Sequence, residues 1–465
     1  MLDQNCNNQN GPLYDNDSQC AQPSDEKPET NPGSESRPFG PPTILVHPAV
    51  DFVPGGMTVG FKQPRADHEN QLVLIVMDGA AQKAETDPEQ VDIGGTTYSV
   101  KSGPTPPLLH NVWHHDSAND FLLNPVCRTS IFQEIKDTIQ KYLKFPASDE
   151  YGLISLWAIS TYFSQAFYAF PYVLFMGPKE SGKSNALEVL SLIAHNAMKT
   201  KNLTESSLGD YLESCRGTVF IDQAEALPSK IVGILADAYK KAGGKRMITQ
   251  GKGTKRTYRS YSLYGAKGFA TTKPLDLDLL DRCILISMRK SKKPLADLCG
   301  NEPIWADLRD GLFRFLLCRY AEVQEAYQAI ESTGNRQGEL WRPLEAVARV
   351  IGLPEAEISE IRQTFYLCTA KTKAEPSQAE LLMLQAIADA AATAAGDFLM
   401  TAQQIQSAIA PSLPKKDLPS VQWIGQKIAV YGLYKADGKV KRSKRKETFY
   451  NFSPGHVKAI TDLYL

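Results

Sequence analysis

The segment that most restricts this chain's fold runs from Tyr172 to Asn185. Five apolar residues, Tyr172-Val173-Leu174-Phe175-Met176, lead straight into Gly177-Pro178-Lys179-Glu180-Ser181-Gly182-Lys183-Ser184. Asn185 follows, and then Leu187, Val189, Leu190 and Leu192 fall on the apolar positions of a helix. A buried strand that stops at a glycine and restarts as a helix turns several backbone N–H groups inward, at the positive end of the helix. Such a cradle suits a phosphate chain. Lys183 is placed to reach the β- and γ-phosphates, and the Ser184 hydroxyl to hold Mg²⁺. All nine residues from Gly177 to Asn185 are expected to bind ATP. The fold class that follows is an α/β core built on a P-loop.

Two further apolar runs fit beside that strand. Thr218-Val219-Phe220-Ile221 ends in Asp222, which would supply a carboxylate to a metal-bound water. The next residue is Gln223, and the nearest carboxylate after Asp222 is Glu225. Glutamine orients a water without taking its proton, so nucleotide binding with slow hydrolysis is expected. Gly265-Ala266-Lys267-Gly268-Phe269-Ala270 ends in Thr271-Thr272. Thr272 either meets the γ-phosphate and its water or caps a loop. Leu279-Leu280-Asp281-Arg282 then opens another apolar strand, Cys283-Ile284-Leu285-Ile286, with Arg282 expected to be exposed.

At 465 residues the chain is long for one core. Its net charge of −1 excludes a global attraction to polyanions, so a nucleic-acid surface would have to be a local patch. The eight cysteines are scattered and form no CxxC pair, which disfavours zinc knuckles and a disulfide scaffold. Met1-Leu2-Asp3-Gln4-Asn5 carries no basic stretch before an apolar run, so no secretory signal is read and a cytoplasmic location is expected. His110-Asn111-Val112-Trp113-His114-His115 has no further ligand at turn or helical spacing and reads as a surface or packing cluster.

Six stretches are expected. Residues 1–42 are polar and Pro-rich, too poor in apolar side chains to offset the entropy of ordering, and read as a disordered tail. Short strand-like runs at Thr43–Val46, Met57–Phe61, Leu72–Val76 and Thr96–Val100 place a β-rich domain at 43–127. A helical linker follows at 128–170, then the P-loop core at 171–290, a helical lid at 291–372 and a last domain at 373–465. From Tyr151 to Gly177 there is no charged residue, a length sufficient for a membrane span. Its serines, Gln165 and Pro171, together with its continuity into the phosphate loop, favour a buried helix followed by a strand, and no membrane contact is expected.

The strand order, the Leu-Leu-Asp-Arg turn and Trp341-Arg342-Pro343-Leu344-Glu345-Ala346 on a later helix together resemble AAA+ ATPases. The likeness is distantly to minichromosome-maintenance and superfamily 3 helicases, and more closely to ATPases of primase- or helicase-like type from phages, plasmids and integrative elements. Those proteins also place a segment like Leu203-Thr204-Glu205-Ser206-Ser207-Leu208 before the second strand. The resemblance covers Phe175 to about Gly352 well and the C-terminus loosely, and little of the first 130 residues. It implies that Arg282 is a trans-acting arginine finger and that Arg342 is the sensor 2 arginine. Each could instead be a surface ion pair. It also implies a homo-oligomer, a hexamer being one option. Gln223 departs from the AAA+ pattern and bears on turnover, not on binding.

Two basic patches interrupt the neutral chain. Arg246–Gln250 and Thr257–Tyr261 could pair as a hairpin whose tip carries Lys252, Lys255 and Arg256. In the helicases resembled, a hairpin at this place touches the nucleic-acid backbone in a ring pore, which a basic tip does without reading sequence. Lys441, Arg442, Lys444, Arg445 and Lys446 follow an apolar helix at Ser420–Tyr431 and precede Thr448-Phe449-Tyr450-Asn451-Phe452. Helix, basic turn and aromatic strand is the layout of a winged helix-turn-helix. The reading is a DNA-acting ATPase of a mobile genetic element, a ring-forming helicase or replication initiator. Its rivals are a slowly hydrolysing DNA-binding switch and a small-molecule P-loop kinase.

Overall fold

The computed structural model describes residues 44–65, 70–101, 113–250, 257–290, 295–370, 378–415, 417–430, 433, 439–441 and 448–461. The expected tail at 1–42 lies outside them, as do Lys252, Lys255, Arg256, Arg442, Lys444, Arg445 and Lys446.

Seven strands open the described chain: β1 Leu45–Val46, β2 Val50–Val53, β3 Gly56–Pro64, β4 Asn70–Asp78, β5 Ala81–Thr86, β6 Gln90–Ile93 and β7 Thr96–Val100. β2-β3-β4-β5 form one antiparallel sheet, and β1-β7-β6 a second. Val46, Leu74, Val76, Val91, Ile93 and Tyr98 fill the space between strands of the two sheets. β5, with its polar and mostly exposed side chains, carries no apolar alternation that the sequence could have announced.

The chain then turns helical: α1 His115–Leu123, α2 Ile131–Tyr142 and α3 Glu150–Ser160. α1 lies within the stretch read as β-rich, and it packs on β3 and β5 as well as on the long helix Pro303–Ala329. Its flanking Trp113 stacks on Phe313 with ring centroids 5.0 Å apart and donates from Nε1 to Asp310 at 3.0 Å. Every side chain of α3 is buried. Its serines return their hydroxyls to the helix, Ser155 to the Tyr151 carbonyl and Ser160 to the Leu156 carbonyl, which is how a polar residue is tolerated there. Among the described residues no helix is long and apolar enough to cross a membrane.

The core runs β8 Tyr172–Met176, α4 Lys183–Ile193, β9 Met198–Thr200, α5 Glu205–Cys215, β10 Val219–Ile221, α6 Ser229–Asp237, β11 Lys245–Gln250, β12 Thr257–Ser262, β13 Lys267–Thr271, α7 Leu277–Leu280 and β14 Cys283–Ser287. Five of these strands form one parallel sheet in the order β14-β8-β13-β10-β9. β8, β10 and β14 are buried and read as near-continuous apolar runs, whereas β9 at the edge is half-buried. β13 sits between the strand that feeds the glycine loop and the strand that ends at Asp222. That insertion spaces the two chemistries apart and aims Thr271 and Thr272 between them. β11 and β12 pair outside this sheet as an antiparallel hairpin, Arg246 opposite Tyr261 and Gln250 opposite Thr257.

α5 fastens the N-terminal sheets to the core. The Ala49 N–H donates to Nδ1 of His47, so Nε2 holds the proton and donates to the Glu213 carbonyl at 2.6 Å. Burial, with Arg216 and Lys101 nearby, keeps this imidazole well below its usual pKa and neutral. The Glu213 carboxylate pairs with Lys101 and accepts the Ser262 N–H at the end of β12 at 3.2 Å. Arg216 reaches back to the Val50 carbonyl and to Asp51.

Three long helices cover the core: α8 Pro303–Ala329, α9 Arg336–Ile351 and α10 Glu355–Ala370. The last domain is α11 Gln378–Thr393, β15 Phe398–Thr401, α12 Ala402–Ile409, α13 Val421–Val430, β16 Lys439–Lys441, β17 Thr448–Phe452 and α14 Pro454–Thr461. It has its own core, in which Met383, Ile387, Ile405, Ile424, Ile428 and Phe452 meet. Its sheet is ordered β15-β17-β16, so the aromatic strand lies in the middle. β15 and α14 lie outside the helix, basic turn and aromatic strand expected over 420–452.

Candidate functional site

The loop from Gly177 to Gly182 is shaped by close approach. A Cβ at Gly177 would lie 2.3 Å from the Met288 carbonyl oxygen and 2.9 Å from Ser181 Oγ, so only glycine fits. The Gly177 N–H donates to the Thr271 carbonyl at 3.3 Å, tying the loop to the end of β13. Gly182 adopts φ +87° and caps α4, and Glu180 holds φ +63°, a conformation costly for a side chain with a Cβ. Lys290, just past β14, pairs with Glu180 at 2.5 Å. Pro178, Lys179, Glu180, Ser184 and Asn185 face solvent, while Ser181 and Lys183 are buried.

The Lys183 ammonium sits inside the loop, donating to the Pro178 carbonyl at 2.6 Å and to Ser181 Oγ at 3.4 Å. Burial draws its pKa below the usual lysine value, while the charges of Glu225 and Asp222 act in the opposite sense. Those two carboxylates belong to the same small region. Ser184 Oγ donates to Asp222 Oδ1 at 3.2 Å, two hard oxygen ligands side by side, as a magnesium ion requires. Glu225 Oε1 accepts the Thr272 hydroxyl at 2.6 Å and the Thr272 N–H at 3.3 Å. Gln223 is exposed, in a left-handed turn with φ 59°. Lys183, Ser184, Asp222, Glu225 and Thr272 thus gather at the C-terminal edge of the parallel sheet. The alternative of a loop-capping Thr272 is partly realised, since its hydroxyl caps the Glu225 turn.

Arg282 is at the other edge. The Tyr172 N–H donates to its carbonyl at 2.9 Å, so it stands where β8 begins and the glycine loop where β8 ends. A strand of that length spans about 16 Å, out of reach of an arginine side chain. The exposure expected for Arg282 is not observed: its side chain is 13% exposed. Its Nε donates to the Ala236 carbonyl at 3.0 Å, Nη1 bonds the Asp278 carbonyl, and the guanidinium lies over Tyr239. One flank still lines an open groove of about 640 Å³ between α6 and α7, beside Arg246, Asp276 and Asp278.

Arg342, the arginine of the sensor 2 expectation, is held at the end of α8. Its Nε donates to the Tyr327 carbonyl at 2.9 Å and its guanidinium lies 4.2 Å from the Tyr327 ring centroid. Tyr327 packs on Phe167, ahead of β8, so Arg342 caps the end of α8 close to the residues that lead into β8. Arg336, which no sequence motif singled out, stands closer to Arg282. Its guanidinium faces the same Tyr239 ring at 4.7 Å. His114, His115 and Asp116 do lie within 4.8 Å of one another, the carboxylate being the ligand type that the histidine motif alone did not offer. His114 Nδ1 there accepts the Asp116 N–H and caps α1.

No protein-family model matches the chain, and no curated protein matches it by sequence. Among solved structures it is similar to the apo C-terminal region of NrS-1, at 12% identity over 78% of this chain and 82% of that one, with a TM-score of 0.31. It is also similar to a full-length MCM homolog from Methanopyrus kandleri, at 11% identity over 68% and 77% of the two chains, with a TM-score of 0.34. A third is JCV helicase, at 15% identity over 55% and 64%, with a TM-score of 0.22. These are distant likenesses of fold, and the side chains described above carry the chemistry.

Proposed function

We propose that this chain is an AAA+-type ATPase acting on DNA, a ring-forming helicase or replication initiator of a mobile genetic element. The observation that carries the reading is the separation of two half-sites. Lys183, Ser184, Asp222, Glu225 and Thr272 lie at one edge of the sheet, and Arg282 lies at the other, where its own chain offers it no phosphate. Copies joined head to tail would bring Arg282 of one subunit to the loop of the next, and a head-to-tail contact that closes makes a ring.

Within each site the backbone from Gly177 to Gly182 and the Lys183 ammonium would hold the triphosphate. Ser184 and Asp222 would hold Mg²⁺, which when bound neutralises charge on the β- and γ-phosphates. Glu225 is the carboxylate for the attacking water, since Gln223 has no basic atom to accept a proton. Arg282 would then stabilise the charge that builds on the transferred phosphoryl group.

For DNA, the β11–β12 hairpin with Lys252, Lys255 and Arg256 would meet the backbone within the ring. The last domain, read as a winged helix with Lys441, Arg442, Lys444, Arg445 and Lys446 on its turn, would dock the duplex. The slow switch is the second reading, favoured by Gln223 in the place directly after Asp222. ATP turnover measured with and without DNA separates the two: a motor is stimulated by DNA and a switch is not. Lys183→Ala should weaken ATP binding about 10- to 100-fold, the worth of a charge-assisted contact. A variant that binds and hydrolyses ATP like the parent would end the assignment.

A further inference from the structure

Tyr239 follows α6 at the edge of the sheet that carries Arg282. Three cations surround its buried ring: the Arg336 guanidinium at 4.7 Å, the Lys240 ammonium at 5.3 Å and the Arg282 guanidinium at 5.4 Å. Asp281 stands between the two arginines. Its Oδ2 is 3.7 Å from Arg282 Nη1 and 3.5 Å from Arg336 Nη1. Glu339, one turn along α9, meets Arg336 Nε at 3.8 Å and Lys240 Nζ at 2.6 Å. Nη1 of Arg336 is buried with no hydrogen bond among the described residues.

These distances describe a shared carboxylate. Both arginine contacts to Asp281 are longer than a good charge-assisted hydrogen bond, about 2.8 Å, so neither guanidinium is clamped. Arg282 is held instead by the Ala236 and Asp278 carbonyls and the tyrosine face, and the exposed Asp278 carboxylate, 3.8 Å from its Nη1, offsets its charge only in part. Without a competing cation, Asp281 could close on Arg282 as a bidentate pair, which would neutralise it and draw it back from the groove. We propose that Arg336 is the positioning residue for Arg282: it holds Asp281 off, so that the finger keeps both its place and its charge.

The inference rests on the reading of Arg282 as a finger for a neighbouring subunit, and the experiment separates the two. Turnover and ATP KM are measured for Arg282→Ala, Arg336→Ala, Arg336→Lys and the double variant Arg336→Ala/Asp281→Asn. Arg336→Ala should lower kcat about 10- to 100-fold, the usual effect of a displaced catalytic group, with KM little changed because the loop is intact. The double variant should recover most of that activity, because the carboxylate that captures Arg282 is gone, and Arg336→Lys should stay near the parent. A residue that merely supported the fold would not be rescued by removing Asp281. If Arg336→Ala turns over normally while Arg282→Ala is inactive, the inference fails and the ring reading stands. Full activity in Arg282→Ala would remove the reading itself. Should Arg336→Ala not fold, Arg336→Gln, which keeps the side chain's length, with and without Asp281→Asn, decides the question by the same rescue.

Mixing gives a second readout. Arg282→Ala and Arg336→Ala subunits should stay inactive together, since both defects lie on the same side of every interface. Recovery in that mixture would put Arg336 in its own chain's nucleotide site and overturn the inference.

Discussion

The Thr272 hydroxyl donates to Oε1 of Glu225 at 2.6 Å, joining the end of β13 to the turn that follows β10. Burial pushes this carboxyl up, yet the donors from Thr272 and the local backbone outweigh it and hold Glu225 below its ordinary 4.5. Glu225 therefore keeps the form that accepts a proton at pH values where a free glutamate begins to lose it. Glu225→Gln should lower kcat about 10²- to 10⁴-fold, the range for removing a general base, whereas Gln223→Glu should change it little. Thr272→Val should move the acid limb of the pH–rate profile upward. If both Glu225→Gln and Gln223→Glu leave kcat unaltered, the strand ending at Asp222 does not carry the catalytic base.

Lys267 is fully buried at the start of β13, with its Nζ donating to the Leu263 and Gly265 carbonyls and facing the Tyr172 ring. Burial lowers its pKa from 10.5 to about 7. Below about 7 the folded and unfolded chains both carry the proton, and the folded chain bears the whole cost of burying it. Between about 7 and 10.5 the unfolded chain holds a proton that the folded one has released, so raising the pH favours folding. Relative to Lys267→Met, the parent should gain stability as the pH rises through this window. Urea midpoints of the two proteins at several pH values check it; a constant difference would refute it.

Arg342→Ala should affect stability, not chemistry. The variant gives up a cation–π interaction with Tyr327 and a cap on the end of α8, together worth about 1–2 kcal/mol at a half-buried site. A lower melting temperature with unchanged kcat is the expected result. A fall in kcat at unchanged melting temperature would return Arg342 to the sensor role that the AAA+ resemblance implied.

Neutralising Lys441, Arg442, Lys444, Arg445 and Lys446 together should weaken duplex binding across all sequences and flatten its salt dependence. Each DNA phosphate left without its cationic partner takes about 0.9 off the slope of log affinity against log salt. Neutralising Lys252, Lys255 and Arg256 should leave loading intact and abolish DNA stimulation of the ATPase. Parental behaviour of both variants in both assays would leave an ATP-dependent switch with a protein partner.

What the sequence determined by itself was local. A five-residue apolar run before a glycine loop fixed β8 as Tyr172–Met176 and the start of α4 at Lys183, because strand, turn and helix signals there are contiguous. The paired runs on either side of residues 251–256 likewise foretold the β11–β12 hairpin. The tertiary structure decided which distant groups meet. Nothing in the spacing of His47 and Glu213, 166 residues apart, announces their hydrogen bond. Nor does the motif that marks Arg342 announce that Arg336, six residues earlier in the same helix, is the arginine beside Tyr239. Six residues advance a helix by about 9 Å and turn it by most of a second revolution, which puts one arginine beside Tyr239 and sends the other to Tyr327. Side-chain identity is written in the chain, but the partner of a charge is set by packing between elements, and that exists only once the sheet and its covering helices have closed.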